Sequence, residues 1–223
     1  MSRHWLLIGL VGIIILLAGG GIIYKIKSSI PSVPKTVPQI TITEPTIKIT
    51  DPQRGNKNAP LTIVYYSDFA CDSCAGADPI LEALEKEFPE KIRFVWKDFP
   101  IHKNAFPESV EIHKAARCAA TLGKFWDFQR IAFMHTPELR LNSPVLEKII
   151  SETGLDSQTM RTCMKSPGIS GIIDDNELEA RQLGVAATPT FFLNNIRYEG
   201  IMPYYQFAGT IRKILAQIEY ENK

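Results

Sequence analysis

From Trp5 to Tyr24 the chain runs for 20 positions without a charge, almost all of them apolar. As a helix this run covers about 30 Å, the thickness of a bilayer core. Beyond it five prolines recur between Ser28 and Pro52, a pattern of extended, stiff spacers. The alternation Thr46-Ile47-Lys48-Ile49-Thr50 predicts a first strand. Leu61 to Ser67, rich in β-branched and aromatic residues, predicts a second. From about Cys71 a helix follows, with Ile80, Leu81, Leu84 and Phe88 on one face and Glu82, Glu85 and Lys86 on the other. Pro79 inside that pattern predicts a kink. Ile92 to Asp98 is another strand, so the strand–helix–strand unit implies parallel pairing with a right-handed crossover.

The period is then helical from about Ser109 to Gly184. Gly123, Gly154 and Gly184 read as helix stops, and Ser143-Pro144 as a helix start. Thr190 to Asn194 and Ile196 to Glu199 read as a hairpin across Asn194-Asn195. Pro203 opens a last helix whose buried face is Phe207, Ile211, Leu215 and Ile218. The order β-β-α-β, helical block, β-β-α describes an α/β sheet with a large helical insertion.

The expected organisation is a short cytoplasmic tail at 1–4, a transmembrane anchor at 5–24, a proline-rich linker at 25–45 and one domain at 46–223, with its helical insertion at about 104–186. A cleaved signal peptide is the rival for the first segment. Its apolar run would be shorter and end in a small-x-small site, whereas Ile22, Ile23 and Tyr24 continue the run into Lys25. Arg3 and His4 before the span and Lys25 and Lys27 after it give no clear orientation. An N-terminus inside is chosen because the cysteine chemistry needs the other side.

Composition narrows the function. The 223 residues carry 25 Lys+Arg against 24 Asp+Glu, and no basic stripe with interleaved aromatics appears, so nothing points to nucleic acid. Four cysteines, Cys71, Cys74, Cys118 and Cys163, make two bridges the default in an oxidising compartment and metal or redox chemistry the default in the cytosol.

Cys71-Asp72-Ser73-Cys74 lies where a strand ends and a helix begins. Two intervening residues on a first helical turn let the sulfurs meet as a disulfide. The free N–H groups and dipole of the helix start favour a thiolate at the first sulfur. Cys71 is therefore the expected nucleophile and Cys74, one turn in, the resolving thiol. Zinc needs four ligands, usually in two close pairs, and Cys118 and Cys163 are singletons 45 positions apart. No metal and no cofactor is expected. Thr188-Pro189 precedes the strand at Thr190. A proline there is either an ordinary trans residue at a strand start or a cis-proline loop facing the sulfurs, which would leave backbone groups free for an extended substrate.

The runs Gly55-Asn56-Lys57-Asn58-Ala59-Pro60, Tyr66-Ser67-Asp68-Phe69-Ala70-Cys71-Asp72-Ser73-Cys74 and Gly184-Val185-Ala186-Ala187-Thr188-Pro189-Thr190-Phe191 resemble those of DsbA-like thioredoxin-fold proteins. So do Lys114-Ala115-Ala116-Arg117-Cys118-Ala119 and Gly123-Lys124-Phe125-Trp126. The resemblance runs from about Ile47 to Ile218. It implies a thioredoxin-like fold with an inserted helical subdomain, a cis Pro189, and dithiol oxidase activity on exported proteins with a membrane redox partner. Some relatives carry a second bridge in the helical block, which here would be Cys118–Cys163; two buried free thiols are the alternative. Two positions depart from the pattern. Asp72 stands where the family commonly has proline, and its carboxylate beside Cys71 works against the thiolate. Tyr65 stands where some relatives carry a buried carboxylate, and Asp68 is considered for proton transfer near Cys74 or as a flank of the helix start.

The leading expectation is thus a monomeric, single-pass protein of a bacterial cell membrane, its domain outside the cytoplasm, that introduces disulfides into exported proteins. A disulfide isomerase or reductase, and a Cys-x-x-Cys metal-binding chaperone, remain the alternatives.

Overall fold

The computed structural model describes residues 43–221. The expected tail, the apolar span and most of the linker lie outside the described residues. Among those residues no helix is long and apolar enough to cross a membrane.

Five strands form one sheet: β1 (Gln53–Gly55), β2 (Leu61–Ser67), β3 (Ile92–Asp98), β4 (Thr190–Leu193) and β5 (Ile196–Glu199), in the order β1-β3-β2-β4-β5. The central pair β2–β3 is parallel, with Tyr65 opposite Trp96, and helix α1 (Asp72–Glu87) makes the crossover between them. The other pairs are antiparallel. Between β3 and β4 come α2 (Glu108–Thr121), α3 (Phe125–Met134), α4 (Thr136–Arg140), α5 (Leu146–Glu152), α6 (Ser157–Met164) and α7 (Pro167–Gln182), and α8 (Tyr204–Glu221) closes the described chain.

Both faces of the sheet are covered, which explains why β2 and β3 are almost wholly buried rather than alternating. On one face the main core joins Tyr65, Phe94, Trp96 and Phe191 to residues of α1, the insertion and α8. Trp96 is its centre: its ring meets Tyr65, Phe69, Phe125 and Phe133 within 5.1 to 6.0 Å between centroids. On the other face a smaller core of Val64, Tyr66, Val95, Phe99 and Phe192 is closed by Ala180 of α7 and by Val185.

Two local expectations change. Thr46 to Thr50 is not a strand. The Lys48 amide donates to the Asp51 carboxylate at 2.8 Å and the Asp51 amide to the Lys48 carbonyl at 3.0 Å, so a side chain takes the backbone bond a ladder would need. Ile49 is left fully exposed, and the edge strand starts instead at Gln53. The helix expected at Ser143-Pro144 begins at Leu146, capped from a distance by Glu108, whose carboxylate accepts from the Val145 and Leu146 amides. Gly184, at φ 69, ends α7 as expected, and Asn194, at φ 48, makes the hairpin turn.

Candidate active site

Strand β2 ends at Ser67 and delivers Asp68, Phe69 and Ala70, all at most 1% exposed, to the start of α1. Cys71 caps that helix with extended backbone, φ −103 and ψ 112. Its amide donates to the Asp68 carbonyl at 3.1 Å. Its sulfur accepts from the Cys74 amide at 3.2 Å and donates to the Thr188 carbonyl at 3.2 Å. Cys71 and Cys74 are both free thiols and both buried. The Thr188–Pro189 peptide bond is cis, and the Pro189 carbonyl accepts from the Gly200 amide at 2.7 Å. The structure thus brings together Cys71, Cys74, Thr188 and Pro189 from two distant parts of the chain.

The two thiols are driven apart in acidity. The Cys71 thiol is lowered to about 7, chiefly by its hydrogen bond with the Cys74 side chain, against burial and with help from Thr188 and the Cys74 amide. Burial pushes the Cys74 thiol well up, and the neighbouring Cys71 sulfur adds to the push. One thiol is fit to be a thiolate near neutral pH while the other holds its proton.

Asp72, beside Cys71, does not stand alone. Arg140 of α4 places its Nε 2.8 Å from Asp72 Oδ2, donates to the Ala70 carbonyl at 3.0 Å and lies over the Phe106 ring at 5.0 Å. The like-charge effect expected of Asp72 is therefore offset by a cation that the sequence did not mark.

Asp68 is fully buried and saturated with donors. Oδ1 accepts from the Ala70 amide at 2.9 Å and from the Ser109 hydroxyl at 2.5 Å; Oδ2 accepts from the His102 amide at 2.9 Å and faces the His102 ring at 2.8 Å. Burial alone would raise its pKa, but His102, His113 and Ser109 hold it well below the carboxylate range. An ionised carboxylate so fixed is a clamp on the helix start and carries no exchangeable proton near neutral pH. His102 in turn is raised by its hydrogen bond to Asp68 and, through charge, by Cys71.

Behind Asp68 a buried polar chain crosses the domain. His113 of α2 lies 3.7 Å from Asp68 and 2.7 Å from Asp98 at the end of β3. Asp98 also accepts from the Trp96 indole at 2.8 Å and from Arg117. Arg117 donates to the Thr50 carbonyl at 2.7 Å. Lys97 contacts Asp51 at 2.8 Å and Glu179 at 3.1 Å. Buried charges of this kind persist only when paired, and here they tie the strand ends, α2, α7 and the segment before β1 together.

Cys118 and Cys163 form a disulfide, S–S 2.01 Å, between α2 and α6. Among the described residues no group of three or more His, Cys, Asp or Glu is placed to hold a metal ion. Sequence reasoning gave no roles to Arg140, His102, His113 or Asp98. Only the quoted runs containing Asp68 and Arg117 carried a sign of the network.

The sequence profile of the thioredoxin family matches residues 48–213. Among solved structures, α-DsbA1 of Wolbachia pipientis superposes with TM-score 0.68 at 18% identity, covering 79% of this chain and 96% of its own. The thiol-disulfide exchange protein α-DsbA2 of the same organism gives 0.65 at 23%, covering 74% and 88%. A thioredoxin-like oxidoreductase of Silicibacter pomeroyi gives 0.64 at 22%, covering 74% and 92%. These likenesses establish a DsbA-like thioredoxin fold. Curated relatives include the Na(+)/H(+) antiporter NhaA 1 of Mycolicibacterium vanbaalenii, 28% identical over 66% of this chain and 24% of that protein, and NhaA 3 of Salinispora tropica, 32% identical over 68% and 22%. The chain spans about a quarter of the length of these relatives, and the ion exchange in their names belongs to them.

Proposed function

This chain belongs to the thioredoxin family, and from that premise we propose that it is a thiol–disulfide oxidoreductase that introduces disulfides into exported proteins through Cys71 and Cys74. The observation that carries the reading is the split in acidity between two thiols placed at a helix start against the Thr188 carbonyl. In the oxidised protein a client thiolate attacks Cys71 Sγ and the bond to Cys74 breaks. The electron pair leaves on Cys74, which takes a proton. A second client thiolate then attacks the client sulfur of the mixed disulfide and releases Cys71 as a thiolate. The client loses two electrons and gains a disulfide; Cys71 and Cys74 end as the dithiol.

The chemistry needs an oxidising compartment and a partner that removes the two electrons. The 20-residue apolar run supplies an anchor for a single-pass protein of a bacterial cell membrane, with the domain extracytoplasmic and a membrane redox protein as the acceptor. Within the domain, Thr188 and Pro189 would receive an extended client segment, and Asp68 and Asp72 would tune Cys71.

One observation favours a second direction. The Cys71 thiol sits at about 7, close to thioredoxin at about 7 and far from the strong oxidant DsbA at about 3.5. A weaker thiolate means a weaker oxidant, which suits a reductase or isomerase supplied with electrons. The two are separated by mixing the oxidised full-length protein with a reduced, unfolded client and following client thiols. Stoichiometric loss of client thiols, absent in Cys71→Ala, is the expected result; no loss over hours would remove the oxidase reading.

A further inference from the structure

Two peptide units lead from β2 into Cys71, and each is held at both ends. In the Phe69–Ala70 unit the Ala70 amide donates to Asp68 Oδ1 at 2.9 Å, and the Phe69 carbonyl accepts from the Thr136 hydroxyl at 2.9 Å. In the Ala70–Cys71 unit the Cys71 amide donates to the Asp68 carbonyl at 3.1 Å, and the Ala70 carbonyl accepts from Arg140 at 3.0 Å. Asp68 holds both N–H groups, and the short helix α4 holds both carbonyls. Phe69, Ala70 and Thr136 are all at most 1% exposed. A carbonyl released there loses its partner without gaining bulk water, at the full desolvation cost of the group.

Helix α4 is itself fixed at both ends. His135, just before it, is 6% exposed and lies between two carboxylates. Its Nε2 is 2.8 Å from Glu152 of α5, and its Nδ1 is 3.2 Å from Glu138 of α4. Lys148 of α5 closes on Glu138 at 3.1 Å. At the other end Arg140 pairs with Asp72 and covers the Phe106 ring.

We propose that Thr136 and Arg140 are positioning residues through which the helical insertion sets the reactivity of Cys71. The assignment rests on the thiol–disulfide reading above. The tilt of the Ala70–Cys71 plane sets the φ of Cys71, and with it the place of Sγ between the Cys74 amide and the Thr188 carbonyl, each 3.2 Å away. When either plane tilts, the sulfur drifts from the amide that donates to it, and its thiolate loses a charge-assisted bond. Arg140 has two tasks, since its charge answers Asp72 while a second nitrogen holds Ala70. Thr136 carries no charge and has the holding task alone. Packing by itself would be served by a valine at that position. Sequence pattern hid the residue, because its partner Phe69 is 67 positions away.

The test uses the reduced full-length protein with Thr136→Val, Thr136→Ser and Arg140→Lys. It measures Cys71 alkylation by iodoacetamide across the pH range, the glutathione equilibrium of the couple and the urea midpoint. Thr136→Val keeps the shape and drops the donor. Its alkylation midpoint is expected to move up, slowing the reaction at neutral pH about threefold, and its couple to become less oxidising. Thr136→Ser is expected to restore both. Arg140→Lys keeps a cation for Asp72 but has one nitrogen for two partners, and is expected to move the midpoint the same way. A Thr136→Val protein with the wild-type midpoint and potential overturns the assignment, even where its urea midpoint falls, because Thr136 then only stabilises the fold. So does a Thr136→Ser shift as large as that of Thr136→Val. Both outcomes leave the thiol–disulfide reading intact. A wild-type protein with no reversible couple overturns that reading and the assignment together. Should Thr136→Val fail to fold, Arg140→Lys decides alone: an unmoved midpoint overturns the assignment.

Discussion

Arg140 Nε lies 2.8 Å from Asp72 Oδ2, one residue beyond Cys71. Sequence alone presents Asp72 as a negative charge that weakens the Cys71 thiolate; the fold presents it as half of an ion pair. Arg140→Ala frees the carboxylate and is expected to lower the reduction potential, whereas Asp72→Pro leaves Arg140 as an unpaired cation and is expected to raise it. Both side chains are partly exposed, so an exposed pair's usual worth of about 0.2–1 kcal/mol translates to roughly 5–20 mV. Equilibrium with glutathione measures both; shifts of the same sign in the two variants would contradict the pairing argument.

The acidity of Cys71 has a direct readout. With the thiol lowered to about 7, alkylation of the reduced protein by iodoacetamide is expected to show a midpoint near pH 7, with Cys74 unmodified through pH 9. A lowered thiol also adds stability to the folded reduced state. That share is fully present above the unfolded value of about 8.5 and is lost as pH falls through about 7. An alkylation midpoint near 8.5 would remove the basis for the nucleophile assignment.

The buried chain from Asp68 to Asp98 sets a second pH dependence, best read in the oxidised protein where Cys71 does not titrate. Burial opposes a charged His113, but the Asp68 carboxylate 3.7 Å away and the hydrogen bond to Asp98 prevail and raise it. Its share of stability is full below the unfolded value of about 6.5 and is lost as pH rises through the raised folded value. Asp68 and Asp98 are depressed. Their share is present above about 4 and is lost as pH falls through their folded values. The urea midpoint is therefore expected to decline above neutrality and to lose that decline in His113→Gln.

Asp98→Asn removes one side of the pair with Arg117 and leaves a buried guanidinium short of its counter-charge. Breaking a buried pair this way costs about 3–5 kcal/mol, read by urea unfolding. A cost under 1 kcal/mol would mean the network is not needed for stability.

The Cys118–Cys163 bridge closes a loop with a separation of 45 residues, worth about 4 kcal/mol in the chain-entropy treatment. The double alanine variant is expected to lose about that much while the potential of the Cys71–Cys74 couple stays within a few mV. A large shift in the couple would show that α2 and α6 act on the site.

The parts of the fold legible in sequence are those with a local period or a positional motif. Strands β2 and β3, helix α1 and the hairpin at Asn194-Asn195 follow from residue pattern, and the Cys-x-x-Cys and Thr188-Pro189 follow from spacing. The first edge strand was misplaced because the Thr46–Thr50 alternation competes with Asp51, which captures the Lys48 amide. Arg140, His102 and His113 were not legible as neighbours of the candidate site. Each acts through a partner 15 to 70 positions away, as with His113 and Asp98 or Arg140 and Ala70, and only tertiary packing brings such pairs together.

The most direct test titrates the Cys71–Cys74 couple of the full-length protein against glutathione buffers. The account predicts one reversible two-electron couple between about −120 mV and about −270 mV, less oxidising than DsbA because Cys71 is lowered only to about 7. A value at or below about −270 mV would contradict the disulfide-forming direction, and the absence of any reversible couple would contradict the redox site itself.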